Sequence, residues 1–469
     1  MREPPLGSPG GGRNRQSGEV PSVLWFRRDL RLSDHPALCA AASEGAVVPL
    51  YVIDPALWDR SGAPRAAFLV ASLRALGGST DGRLVIRYGD PRQVVAQVAA
   101  EVGASDVYVT ADHSPFGVRR DKAVAIALQA DGRRLIPVGS NYAVEPGTVV
   151  KDDGNPYAVF TPFSRAWLRT GWSAPQAAPA VEWLGDPDVE CHGYPKDLTW
   201  EIADGAAGEK AAHTRLETFV ADALDRYDTQ RDTPSIEGTS RLGPHLRFGT
   251  IHPRQVLAEL GSLKAHEVFR SELAWRDFYA DVLWHKPRTT WENLQPKMAD
   301  MPVDNDAAAK QRFTKWCDGQ TGYPIIDAGM RQLRDTGFMH NRVRMIVASF
   351  LVKDLHLPWQ WGAKHFMRHL LDGDIASNNH GWQWAAGTGT DAAPYFRVFN
   401  PVSQSERFDP AGAYIRQYVP ELAEVSDREI HAPWMSKRGL LLGYVSPMVD
   451  HAAEREEALR RYAVVTGKA

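Results

Sequence analysis

Between Ser22 and Val150, short apolar runs alternate with amphipathic stretches, and no other feature limits the fold as strongly. Candidate strands fall at 23–26, 47–53, 84–88, 107–110 and 135–138, with helical periodicity at 65–76, 92–102 and 119–130. Strands spaced by helices of that length predict an α/β, doubly wound, Rossmann-like parallel sheet covered on both faces. Ligands on such sheets sit beyond the carboxyl ends of the strands. No G-x-G-x-x-G occurs in this part, so the usual dinucleotide fingerprint is excluded.

The rest of the chain follows a different rule. Residues 151–205 lack periodicity and are rich in Pro, Gly and Asp, as in DDGNP and SAPQAAPA, which reads as an interdomain connector. Beyond Gly208 strand signals nearly vanish. Helical runs cover 213–227, 252–260, 266–283, 323–336, 340–355 and 361–371, with Pro253 and Pro324 near helix starts and Gly373 after a helix end. The first twenty residues, rich in Gly, Pro and Arg, predict a disordered tail. The expected plan is therefore a tail at 1–20, an α/β domain at 21–150, a connector at 151–205 and an all-helical domain at 206–469.

Composition removes several function classes. The three cysteines, Cys39, Cys191 and Cys317, lie far apart, which argues against a disulfide framework and a structural zinc site and suits a reducing cytoplasm. No apolar run approaches the roughly 20 residues that span a bilayer. A net charge of −3 gives no global argument for nucleic acid. Fifteen tryptophans are many for this length, and they cluster in the second half.

Four places carry side chains suited to chemistry. Thr239, Ser240, Arg241, Leu242 and Gly243 precede a helix, where backbone N–H groups hold a diphosphate or simply form a capping turn. Glu272, Trp275, Arg276 and Tyr279 stand at i, i+3, i+4 and i+7. That face suits a cavity that stacks a base and bonds its edge, or else a salt-bridged surface helix. Asn341, Arg344, Met345 and Ala348 share another face, with Arg342 directed elsewhere. In the stretch 372–401, Asp372 and Asp374 flank Gly373 and are followed by Asn378, Asn379, Trp382 and Trp384. Two acids in a tight turn suit arginines or a ligand's hydroxyl and ring N–H groups. No histidine or third carboxylate stands at metal-ligand spacing, so no metal is expected. A hydrolase triad lacks its G-x-S-x-G turn.

Taken in order, EGTSRL at 237–242, ELAWRDFY at 272–279, TGYPIIDAGMRQL at 321–333 and MHNRVRMIVASFLVKDL at 339–355, with SVLWFRRDLRLSDHPAL at 22–38 and the stretch 372–401, resemble the photolyase/cryptochrome family. Within it, the chain is most similar to class I cyclobutane pyrimidine dimer photolyases of bacteria. The resemblance implies light-driven repair of UV-damaged DNA by a monomer using FAD as FADH⁻. The diphosphate would lie near Thr239–Gly243 and the adenine side near Tyr227. Asp372, paired with Arg344, and Asp374 would contact the flavin and adenine ends. Asn378 matches the residue facing flavin N5. Asn cannot deliver a proton as a carboxylic acid can, which fits a fully reduced anionic flavin.

For the substrate, the resemblance implies a dimer flipped out of the duplex. Glu272 would bond its carbonyl edge, Trp275 and Trp384 would pack on its rings, Met345 would fill behind and Asn341 would hold the far base. Arg231, Arg342 and Gln404 match DNA-strand contacts. Six-four photolyases carry His-His where this chain has His340-Asn341, so cyclobutane dimers are expected. A signalling cryptochrome is the main alternative; the short stretch after Pro401 and the intact dimer set favour the enzyme.

Two further points come from the resemblance. Trp382 and Trp359 match the inner residues of an electron chain, while the outer position falls on Asp306 in an ungapped reading. Either the register slips there or another ring, Trp316 or Trp361, takes its place. The stretch DHSPFG at 112–117 resembles that of members using an 8-hydroxy-5-deazaflavin antenna. Such a pigment is expected near Arg28 and Asp112, with methenyltetrahydrofolate as the alternative.

Overall fold

A computed structural model describes residues 20–185, 190–391, 397–436 and 443–467. The expected tail, except for Val20, and residues 392–396 of the 372–401 stretch lie outside them. Five strands, β1 (Ser22–Phe26), β2 (Val47–Ile53), β3 (Val85–Tyr88), β4 (Asp106–Ala111) and β5 (Arg134–Ser140), form one sheet in the order β3-β2-β1-β4-β5. Every pairing is parallel. β1 is central and buried along its whole length, as its unbroken apolar run requires in a sheet covered on both faces. Helices α1 (Pro36–Ser43), α2 (Ala63–Ser79), α3 (Pro91–Glu101) and α4 (Pro115–Ala130) supply the cover. Asp90 and Ser114 cap α3 and α4 through their side chains, with proline in the first turn of each.

The aperiodic stretch contains one helix that the sequence pattern hid, α5 (Phe160–Thr170). Its buried residues, Phe160, Phe163, Ala166 and Trp167, do form a helical stripe, but the flanking Pro- and Gly-rich segments mask it. The C-terminal part contains α6 (Glu209–Asp222), α7 (Gly243–Phe248), α8 (Lys264–His285), α9 (Ala307–Cys317), α10 (Pro324–Thr336), α11 (Asn341–Ser349), α12 (Trp359–His369), α13 (Ile375–Ala386), α14 (Pro401–Phe408) and α15 (His451–Thr466). The run 340–355, read as one helix, changes hydrogen-bond pattern: α11 passes into a π turn at Phe350–Asp354. Among the described residues no helix is long and apolar enough to cross a membrane.

Charge and packing join the two parts. Asp34, after β1, accepts two bonds from Arg254 at 2.7 and 3.0 Å. Glu209 at the start of α6 accepts from the Leu32 and Ser33 backbone N–H groups at 2.7 and 2.9 Å. Phe68 of α2 stacks on Phe248 of α7 with centroids 5.4 Å apart. The helical part is thereby held against the loop after β1 and against α2.

Candidate active site

Five helices and one turn enclose a cavity of about 440 Å³, inside the size range of small-molecule sites. From α8 come Glu272, Trp275, Arg276 and Tyr279, the full face read from spacing. From α11 come Asn341, Arg344, Met345 and Ala348. The turn before α13 adds Asp372, Gly373 and Asp374, and α13 itself adds Ser377, Asn378, Gly381, Trp382 and Trp384. Gly243, Leu246 and Arg247 of α7 and the preceding Arg231 complete that side. Phe366 and Leu370 close the apolar end. A Cβ at Gly381 would meet nothing within 4 Å, so the missing side chain keeps that wall open.

The acidic turn is the electrostatic centre. Arg344 Nη2 meets Asp372 Oδ2 at 2.9 Å, and its Nε donates to the Met339 carbonyl at 2.7 Å. Asp374 caps α13, accepting from the N–H groups of Ala376 at 3.0 Å and Ser377 at 3.2 Å. Its second oxygen meets Arg28 Nη2 at 2.5 Å, a contact that reaches in from the loop after β1. Burial opposes ionisation of Asp374, yet Arg28, Arg247 and Arg276 hold its pKa down at about 2. Arg247, mostly buried, is pushed down to about 9 and donates to the Gly373 carbonyl.

Three buried polar atoms of the lining residues have no partner among the described residues: Trp382 Nε1 and two oxygens. Asp372 Oδ1 and Asn378 Oδ1 are both buried and unbonded, while Asn378 Nδ2 donates to the Ala363 carbonyl and to Asn379 Oδ1. Both are acceptors. Leaving a buried acceptor unsatisfied costs roughly 1–3 kcal/mol, so the pair calls for a ligand with N–H or O–H donors. A flat ring ligand carrying N–H donors would meet both, and the open wall at Gly381 leaves it room.

The part of the lining supplied by α8 is aromatic. Trp275 stacks on Phe160 and leans on Tyr279 with centroids 5.3 Å apart. Glu272 ion-pairs with Arg231 at 2.7 Å, and the Arg231 guanidinium lies over the Tyr227 ring at 5.3 Å. Arg276 is directed inward, donating to the carbonyls of Asn141 and Leu246. Asn341 is exposed at the rim. Arg342 pairs with Asp232 at 2.9 Å and covers Phe408, outside the lining. Gln404, on α14, is half-buried and also outside it.

Other expected residues take separate places. Of the five at 239–243 only Gly243 reaches the cavity. The carbonyls of Thr239 and Ser240 accept from Arg215, Arg241 pairs with Glu237 at 2.5 Å, and Leu242 is fully buried. Trp382 is buried, with Phe366 and Trp316 as ring neighbours at 5.0 and 6.1 Å. Trp316 continues through Phe313 to Trp361, at 5.8 and 5.3 Å. Trp359 instead borders a second, smaller cavity that Val303 also lines, and its Nε1 donates to Asn293 Oδ1 at 2.8 Å. Asp306 is the N-cap of α9, bonded to the Ala309 N–H, and does not line that cavity. Asp112 pairs with Arg120 at 3.2 Å and accepts from the Ser114 N–H. Leu246, Arg247, Phe366 and Gly381 were not singled out from sequence; only the spacing of Gly381 three residues after Asn378 pointed to it. Among the described residues no group of three His, Cys, Asp or Glu side chains is placed to hold a metal.

The chain matches two family models, one described as DNA photolyase over residues 22–182 and one as the FAD binding domain of DNA photolyase over residues 269–464. It is 39% identical to a deoxyribodipyrimidine photo-lyase of Escherichia coli, covering 94% of this chain and 98% of that one. A Streptomyces griseus protein of the same name is 40% identical over 92% of this chain and 97% of its own. Among solved structures, a bacterial class III photolyase from Agrobacterium tumefaciens superposes with a TM-score of 0.88 at 37% identity, covering 97% of this chain and all of that one. A Synechocystis cryptochrome superposes with a TM-score of 0.87 at 29% identity, covering 94% and 99%.

Proposed function

Because the chain belongs to the DNA photolyase family, we propose that it repairs cyclobutane pyrimidine dimers in DNA using light, with reduced FAD held in the central cavity. One observation carries the reading: a single cavity is lined both by unsatisfied acceptors at Asp372 and Asn378 and by aromatic rings at Trp275 and Trp384. A flavin and a dimer of bases need those two environments side by side. Reduced FAD supplies the light-excited electron that splits the dimer.

The residues supply position and polarity. Asn378 accepts a hydrogen bond at the flavin edge, and Asp372, paired with Arg344, accepts another. Arg344, Gly373 and Asp374 shape the floor, and Gly243 lets the diphosphate approach the start of α7, with Tyr227 toward the adenine. Trp275 and Trp384 grip the flipped bases, Met345 fills behind them, and Asn341 holds the far edge. Glu272 faces the dimer's carbonyls, where a hydrogen bond offsets the negative charge arriving there. The 8-hydroxy-5-deazaflavin antenna near Arg28 and Asp112 remains a proposal. Both side chains already hold ionic partners, so the pigment would share them. The absorption spectrum of protein from its native host tests it.

The deciding experiment adds a dimer-containing oligonucleotide to reduced protein and compares light with dark. Loss of dimers only in the light is expected; tight binding without loss would instead favour a photoreceptor. Glu272→Ala should lower the repair yield about tenfold while changing affinity less, because its bond matters most once charge has moved. Affinity should also fall steeply with salt, and Arg231→Ala or Arg342→Ala should each reduce the salt slope by about 1. An unchanged slope in both variants would remove them from the DNA contact.

A further inference from the structure

The indole of Trp275 is held by a residue from outside the helical part. Phe160, the first residue of α5, lies parallel to it with centroids 3.7 Å apart and planes 7° from coplanar. Phe160 is itself buried and meets Phe278 edge-on at 5.8 Å, while Trp275 meets Phe278 at 5.7 Å and 71°. One face of the indole is thereby covered, and its edge is set against a second ring. Ring pairs ordinarily avoid a face-to-face sandwich, so this parallel arrangement depends on how Phe160 is mounted.

That mounting is rigid. Two further contacts anchor α5 along α8: Phe163 against Phe278 at 5.0 Å, and Trp167 Nε1 donating to Asp277 Oδ2 at 2.9 Å. The N-cap Val159 makes no side-chain cap bond, so the start of α5 is held by these side-chain contacts with α8.

We propose that Phe160 is a positioning residue that presets the plane of Trp275 for the dimer. The inference rests on the reading of the cavity as a dimer site. Without the phenyl ring the indole must be ordered when substrate binds, and the cost falls on affinity for damaged DNA alone. Undamaged DNA, held by backbone contacts, does not feel it.

The test uses the full-length flavoprotein and its Phe160→Leu variant, which keeps apolar bulk but removes the ring. Affinity for a dimer-containing duplex should fall about tenfold, with affinity for the undamaged duplex and flavin content unchanged. Phe160→Tyr should restore it. In a Trp275→Leu background, Phe160→Leu should cost nothing further, since the two act as one unit. Near-ultraviolet circular dichroism gives a readout independent of repair: Phe160→Leu should alter the tryptophan bands in wild type but not in Trp275→Leu. Equal loss of both affinities, additive losses in the double variant, or unaltered bands would each overturn the proposal. If the parent protein shows no preference for dimers, the cavity reading fails and positioning for a dimer fails with it, while the spectral change still reports whether the stack exists.

Discussion

Asp374→Ala should yield a protein that has lost both flavin and several kcal/mol of stability. The substitution removes the N-cap of α13, which accepts from two backbone N–H groups, and the carboxylate paired at 2.5 Å with Arg28. Breaking a mostly buried ion pair from one side costs about 3–5 kcal/mol, and losing a cap adds about 1 kcal/mol. The helix carrying Asn378, Trp382 and Trp384 would then start without its anchor. Asp374→Asn should fall between, because the amide oxygen still caps while Arg28 loses its counter-charge. Urea midpoints and the 450 nm absorbance of purified protein read both effects, and an unchanged midpoint for Asp374→Ala would contradict the role given to the pair. The pH dependence has a fixed sign. A carboxyl whose folded pKa is depressed to about 2 contributes stability that is complete above its ordinary value near 4, and that contribution is lost as pH falls toward about 2.

Trp382→Phe should slow reduction of the oxidised flavin by light while leaving repair by chemically prereduced protein intact. Trp382 is 2% exposed, lines the cavity and has Trp316 and Phe366 as ring neighbours, so it is placed to pass an electron toward the ligand. Phenylalanine is harder to oxidise, and each 1.4 kcal/mol of added barrier costs about tenfold in rate. A companion variant probes geometry instead of redox chemistry. Gly362 of α12 presses against the indole so closely that an added Cβ would lie 2.1 Å from a ring atom. Gly362→Ala should therefore displace the ring and slow photoreduction with every tryptophan still present. If Trp382→Phe photoreduces like the parent, the assignment of Trp382 is wrong. A comparison of Trp316→Phe with Trp359→Phe then separates the two onward routes, since Trp316 stands in the ring series ending at Trp361 while Trp359 borders the second cavity.

Much of this site was legible in the sequence because helical spacing is local. Glu272, Trp275, Arg276 and Tyr279 share a face by periodicity alone, and the cavity receives all four. The acidic turn followed by Asn378 and two tryptophans was likewise readable, and so was the parallel sheet, whose strands shift by only a few residues at their ends. What escaped was long-range. Nothing near Arg28 signals that its partner lies 346 residues away, and the sequence suggested the antenna pigment for it instead. Helix α5 was hidden because Pro- and Gly-rich flanks outweighed a short stripe, although Phe160 and Trp167 are among its buried positions. In the segment 239–243 the helix start can still offer its N–H groups, while the carbonyls of Thr239 and Ser240 accept from Arg215, Arg241 turns to Glu237 and Leu242 to the core.

The Arg28–Asp374 contact also bears on how such a protein can be cut and recombined. The floor of the cavity is completed by a guanidinium from the sheet domain, so the helical part is not a self-sufficient module. Expressed alone, it would expose a carboxylate evolved to face a cation, together with the apolar surface of Phe248. A chimera joining it to a foreign sheet domain would keep Asp374 paired only if the loop after the first strand still delivered an arginine. Recombination between relatives is thus constrained at two positions at opposite ends of the chain, and exchange of either one must be matched at the other.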